Sequence, residues 1–298
     1  SCLRAGSAEI EPIVRTESCT PLGEVVVGVT RTSGSVVLAG PHTSRELSTI
    51  ARLLAGLGSS FIITDGAINR IIPMSCADGI ILATGAARYP EIGRVASEAG
   101  AIAKLFDLPT IGAEANGLDS VSLFSGGRLR RTVNGGSLLT QAAAATLAES
   151  VEPKTDMIII PGQASLTGLA ELVNRLGDKL AGLCILLSDP LRLVLAGEPT
   201  ATVRLLEEIH RRGGRMGVLR SVPLLAITVN PFYPLWRYER DDYQAAYVDA
   251  EELWASVQRE VHIPVIDVKR HGAEQLLSLI LSRLPSDQPG NKEATGPS

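Results

Sequence analysis

Residues 59–87 read SSFIITDGAINRIIPMSCADGIILATGAA: two short apolar runs, 61–64 and 79–83, each closed by a small polar turn. Runs of this length, bounded by turn signals, have the pattern of strands buried on both faces. A chain carrying such strands folds as a parallel sheet covered by helices, and ligands of open α/β sheets bind outside the carboxyl ends of the strands. After the first run the turn supplies Asp65, with Asn69 and Arg70 just behind it; after the second it supplies Thr84 and Gly85. Asp65 is a carboxylate suited to a hard cation such as magnesium, and Asn69 and Arg70 are donors for a polar ligand. The small residues at 84–87 let backbone approach a ligand closely. The same residues also fit plainer roles: an Asp that caps the next turn and a tight helix–sheet contact at Thr84.

Strand and helix patterns continue to alternate along the chain. The spacing predicts an N-terminal hairpin over 20–40 turning at 32–35, then a helix over 46–57 and another over 92–106. A hairpin over 121–133, turning at Ser125, Gly126 and Gly127, is expected to project from the main sheet, and Ser137 to cap an Ala-rich helix reaching 150. Strands are expected at 157–160, 183–187, 224–229 and 263–268, with helices at 165–176, 200–212, 243–260 and 273–284. The fold class is therefore α/β: two lobes of mainly parallel sheet flanked by helices, with right-handed crossovers. Pro, Lys and Thr at 151–155 mark the expected boundary. The expected organisation is a hairpin segment (1–40) packed on the first lobe, a first lobe with the site (41–152), a second lobe (153–285) and a disordered polar tail (286–298).

Composition narrows the function. Apolar residues are 45% of the 298 and aromatics only 4%, so the core is built from Val, Ile, Leu and Ala. A net charge of −4 gives no electrostatic footprint for nucleic acid or a membrane surface. No apolar run reaches the roughly 18 residues a membrane span needs, and no signal peptide is visible. Cys2, Cys19, Cys76 and Cys184 are scattered, without metal-type pairs or a disulfide framework, so a cytoplasmic, reducing location is expected. The chain begins Ser-Cys-Leu, which fits a processed protein or a fragment.

Other chemistry is sparse. His42, Thr43 and Ser44 lie between a strand and a helix, where free N–H groups favour an anion, although ordinary capping by Thr43 or Ser44 explains them better. There is no GxxxxGK[ST] or GxGxxG fingerprint. Asp189 and Asn230 stand at strand ends in the second half, each before a proline, as turn initiators do. Residues 230–236, NPFYPLW, gather Phe232, Tyr233 and Trp236 in one loop, a candidate lid, domain contact or partner surface. His210, His262 and His271 read as helix-end or surface residues. Arg128, Arg130 and Arg131 read as a solvated hairpin tip.

The order TPLGEVVV, LAGP, TDGAINR, ILATGAA, LLAITVNP and IPVIDV, from about Thr20 to Val268, resembles the KamB-type reactivase subunits of lysine 5,6-aminomutase. The most specific element is DGAINR followed by the ATGAA turn. The resemblance implies an accessory role beside an adenosylcobalamin-dependent aminomutase, exchanging damaged cobalamin. The implied partner is the aminomutase or a second reactivase subunit, and the implied cofactor a magnesium nucleotide. It transfers no site residues, so Asp65 (as magnesium ligand), Asn69, Arg70, Thr84, Gly85, His42, Thr43 and Ser44 rest on the reading above. The missing P-loop leaves the seat of any ATP hydrolysis open; a homo-oligomer is a separate expectation. Two other classes fit the same residues. One is a metal- or phosphate-dependent small-molecule enzyme centred on Asp65; the other is a non-catalytic interaction module using Trp236.

Overall fold

The computed structural model describes residues 6–20, 23–38, 40–41, 43–64, 77–112 and 118–283. The chain divides into two compact units, Ser1–Ala77 and Asp78–Ser298.

In the first unit, β1 (Ile10–Thr20) and β2 (Gly23–Thr30) form an antiparallel ribbon. Its turn ends on Gly23, whose φ of +117° suits a residue without Cβ. The hairpin therefore forms upstream of the turn expected at 32–35. Those residues fold back on the start of the ribbon instead. Ala8 N–H donates to Ser35 C=O (3.1 Å), Ser35 N–H to Ser7 Oγ (2.9 Å) and Glu9 N–H to Thr32 Oγ1 (2.9 Å). Backbone groups satisfied in this way do not close a tight turn, and Val36, Val37 and Leu38 are left as exposed, non-strand chain. Helix α1 (Ser44–Gly56) follows. The buried strand expected at 61–64 is not formed: these residues are irregular, with Ile62 and Ile63 exposed. Among the described residues no strand pairs with them, and an apolar run without a neighbouring ladder has no reason to be a strand.

The second unit contains two sheets. Strands β3 (Ile80–Gly85), β9 (Leu224–Asn230) and β12 (Val265–Ile266) form a parallel sheet in the order β12-β9-β3. The other sheet has the order β5-β4-β6-β7-β8. Its strands β6 (Met157–Ile160), β7 (Cys184–Leu187) and β8 (Arg215–Val218) are parallel, while β4 (Val121–Ser125) and β5 (Arg128–Val133) add an antiparallel hairpin. That hairpin is not merely a projection. Its inner strand β4 bonds to β6, and only β5 is an exposed edge, carrying Arg128, Arg130 and Arg131. The boundary expected at 151–155 falls inside the unit, because β3 pairs with β9 and β4 with β6 across it.

Helices α2 (Ile92–Phe106), α3 (Gln141–Ser150), α4 (Leu166–Leu176) and α5 (Pro199–Arg211) contribute to one aliphatic core with β4, β6 and β7. Helices α2 and α6 (Ala250–Glu260) cover the three-stranded sheet through Val95, Ala99, Leu253 and Val257. The final helix, α7 (Ala273–Arg283), packs near β9. The helix expected to start at 243 starts only at Ala250. Asp249 caps it by accepting from Glu252 N–H at 2.7 Å, and the preceding residues form a strand, β11 (Asp242–Tyr247), paired with β10 (Phe232–Arg237). Tyr243, Ala245 and Tyr247 alternate with period two, which outweighs the helical reading of that segment. The tail expected at 286–298 lies outside the described residues, and none of the described helices is long and apolar enough to cross a membrane.

Cys184 lies in the central parallel strands, 2% exposed, and burial pushes its thiol pKa up. Thiolate is the reactive form, so Cys184 should resist an alkylating reagent at neutral pH in the native protein and react only on unfolding. Peptide mapping after a timed pulse checks this.

Candidate functional site

At the carboxyl edge of the three-stranded sheet, β3 delivers Thr84 and Gly85 beside Val229 and Asn230 of β9. A Cβ on Gly85 would lie 2.1 Å from the Asn230 carbonyl oxygen, so only glycine admits this contact. The next residue, Ala86, is fully buried and donates its N–H to the same carbonyl at 2.9 Å. Asn230 also turns the chain out of the sheet: its Oδ1 accepts from Phe232 N–H at 3.1 Å. On the far side, buried Asp267 accepts from Lys269 and Arg270 N–H and donates its own N–H to His271 Nδ1 (3.2 Å). This edge is thus a rim of small and polar groups around the ends of three strands.

The turn after Thr84 is anchored by a residue the sequence reading did not single out. Arg88 makes a two-pronged contact with Glu98 of α2, both distances 2.6 Å, and Glu98 is almost fully buried. The hydrogen bonds that Arg88 donates to Glu98 raise its own pKa still further, so the guanidinium stays charged. Arg88 and Arg94 both lie over the Tyr89 ring, Arg94 at 3.6 Å from its centroid. Nearby, Glu198 caps α5 and sits within 4.0 Å of Arg204. Burial alone pushes the Glu198 carboxyl up, but hydrogen bonds from the Thr200 hydroxyl and the N–H groups of Ala201 and Thr200 outweigh it and hold the pKa below the usual carboxylate range. Asp189, at the end of β7, is buried and accepts from Leu191 N–H; Arg192 Nε is buried without a hydrogen-bond partner among the described residues. No period or motif marks these ions, because Arg88 and Glu98 become neighbours only when α2 folds back over β3.

The other sequence-predicted residues fall as follows. Asp65, Asn69, Arg70 and His42 lie outside the described residues. Thr43, in the first unit, is the N-cap of α1 in a full capping box. Its Oγ1 accepts from Glu46 N–H (3.2 Å), while its N–H and hydroxyl donate to Glu46 Oε2 (3.1 and 2.9 Å). Ser44 opens the helix. Thr84 and Gly85 belong to the second unit. Among the described residues no three His, Cys, Asp or Glu side chains group to hold a metal ion. Phe232, Tyr233 and Trp236 lie not in a loop but on β10 of the two-stranded ribbon.

That ribbon is the most distinctive surface of the unit. Cross-strand neighbours share a face, so the register Phe232↔Tyr247, Pro234↔Ala245 and Trp236↔Tyr243 puts four aromatic rings and Pro234 on one side. Edge-to-face contacts link Phe232 with Tyr247 (5.7 Å) and Trp236 with both Tyr243 (4.7 Å) and Tyr238 (6.4 Å). Tyr238, Tyr243 and Tyr247 are more than half exposed. A chain with only eleven aromatic residues thus spends four of them on one face of the ribbon.

The unit is an α/β protein with a three-stranded parallel sheet and a five-stranded mixed sheet. Comparison with family models, with curated proteins and with solved structures finds no match to this chain.

Two outcomes follow from this geometry. Gly85→Ala should force the ends of β3 and β9 apart, lowering stability by about 1–3 kcal/mol in urea titration, with loss of exchange protection at Ala86 N–H. For Glu198, the folded pKa is depressed, so its stabilisation is present above the unfolded carboxylate value, near 4.3, and is lost as pH falls through the folded value. Glu198→Gln should therefore flatten the fall of Tm below about pH 4 and lower Tm at pH 7.

Proposed function

We propose that this chain is a reactivase-like accessory protein for an adenosylcobalamin-dependent amino-acid aminomutase, working through protein contact and a magnesium nucleotide. The observation that carries the contact is the exposed aromatic face of β10–β11. Large rings with few rotatable bonds give much contact area for little lost entropy, and Trp and Tyr are the residues most often dominant in interfaces. The order of the DGAINR and ATGAA segments, with its resemblance to KamB-type subunits, supports the class of partner. The nucleotide reading rests on the sequence around Asp65, as metal ligand, with Asn69 and Arg70 as donors.

In this reading the second unit presents two surfaces at one sheet edge. Asn230 is common to both: its carbonyl holds the ATGAA turn and its side chain starts the aromatic ribbon.

The test uses an aminomutase carrying cobalamin that has lost its adenosyl group. The full chain with Mg-ATP should bind it and restore turnover after fresh adenosylcobalamin is added. Trp236→Ala should weaken that association about tenfold or more, and Asp65→Ala should abolish Mg-ATP binding in calorimetric titration. Absence of both association and recovery would overturn the accessory role. Association without recovery, unaffected by Asp65→Ala, would instead make the chain an interaction module.

A further inference from the structure

The ribbon has one closed edge and one open one. Val248 N–H donates to Pro231 C=O at 3.0 Å. With the observed register, that bond fixes the phase of the ladder: Tyr233/Ala246, Leu235/Gln244 and Arg237/Asp242 are the hydrogen-bonded pairs. The main-chain groups of the alternate residues point outward, those of Phe232, Pro234 and Trp236 from β10 and those of Tyr243, Ala245 and Tyr247 from β11. On the β10 edge, Phe232 N–H is already taken by Asn230 Oδ1, and Pro234 has no N–H to offer. Two of its three outward donors are gone. On the β11 edge nothing is blocked: it carries no Pro and no Lys, and no strand pairs with it among the described residues. Unprotected edges invite another strand, and proteins that avoid pairing blunt them. Here one edge is blunted and the other is not.

The spacing of β11 says what fits the open edge. Tyr243 and Tyr247 lie symmetrically about Ala245. A two-fold axis beside Ala245 at the open edge, perpendicular to the ribbon, sets β11 antiparallel to β11 of a second copy. Ala245 then faces its own equivalent, and Tyr243 faces Tyr247 of the second copy. All three positions have outward-pointing N–H and C=O, so each facing pair can exchange both bonds. The small side chains flank the axis, and the rings form cross-strand aromatic pairs on either side of them. A foreign strand has no need of this symmetry, whereas an identical strand does. Just beyond this pairing Asp241 would face Asp249 of the second copy, the one unfavourable contact of the register. We propose that this chain forms a two-fold dimer by pairing β11 with β11 of a second copy, giving a four-stranded antiparallel sheet with one continuous aromatic face. An isologous contact of this kind closes on itself and does not propagate.

Sedimentation velocity of the full chain over roughly 1 to 100 μM, a range that spans micromolar dissociation constants, tests this directly. The expected result is a concentration-dependent shift from 31.4 kDa to twice that mass. Ala245→Pro removes the central outward donor without touching a bond of the ribbon's own ladder, so it should raise the dissociation constant at least tenfold while the circular dichroism spectrum is retained. Ala245→Cys provides an independent reading. Facing hydrogen-bonded residues have Cα atoms about 5.5 Å apart, within disulfide range. Mild oxidation should therefore cross-link Ala245→Cys into a dimer, whereas Gln244→Cys should show only the background of the unsubstituted chain. A monomer throughout the range, a dimer indifferent to Ala245→Pro, or equal cross-linking of the two cysteine variants would each overturn the proposal.

Discussion

Helix α2 is packed from two sides, and the arrangement of the second unit depends on that packing. Val95, Ala96, Ala99 and Ala103 meet the three-stranded sheet and α6, while Ala101 and Leu105 belong to the core of the five-stranded sheet. A helix can serve two cores only if its side chains are short enough to let neighbours approach, and the run Ala96 to Ala103 supplies this. Gly100 marks the tightest point: a Cβ there would lie 3.0 Å from Glu260 Cβ on α6. Packing at this density leaves little freedom in the relative placement of the helices.

The same helix carries the buried Glu98, and its pairing with Arg88 ties the ATGAA turn to the core. A carboxylate held almost without solvent contact is costly unless it is matched, and the two-pronged guanidinium contact matches it. The turn is further pinned by the Asn230 carbonyl, which accepts from Ala86 and excludes any side chain on Gly85. A polar rim built this way is rigid, which favours ligand or partner contacts whose geometry must not drift. The aromatic ribbon starts from the same asparagine, so its position relative to the rim is set by one short turn and not by a long linker.

Much of the second unit was legible because its strands and helices obey local rules. The helix at Ile92–Phe106, the hairpin at Val121–Val133 and the strand at Met157–Ile160 fall where their periods and turn residues put them. The errors have a common cause. Residues 61–64 and 36–38 are as apolar as β6, yet they form no strand, since a strand exists only where a neighbour completes its hydrogen bonds. β11 was hidden because DYQAAY tolerates either period, and pairing with β10 decides it. At the candidate site, Thr84 and Gly85 were visible as a turn after an apolar run. Arg88, Glu98 and Glu198 were not, as charged residues on a helix face or beside a cap look solvated until the fold buries one partner.

By itself the sequence determined the α/β class, the aliphatic composition of the cores, most helix limits and the concentration of aromatic residues near 232–247. These follow from short-range physics: periodicity, capping, turn chemistry and the number of aromatic residues to be placed. The tertiary structure alone decided which strands are neighbours, joining β3 to β9 and β4 to β6 across long stretches of chain. It also decided that Glu98 is buried against Arg88, and that the aromatic residues share one face of a ribbon with one blocked and one open edge. Each of these depends on ladder phase or on contacts between distant segments, and no local pattern encodes either until the partners are brought together.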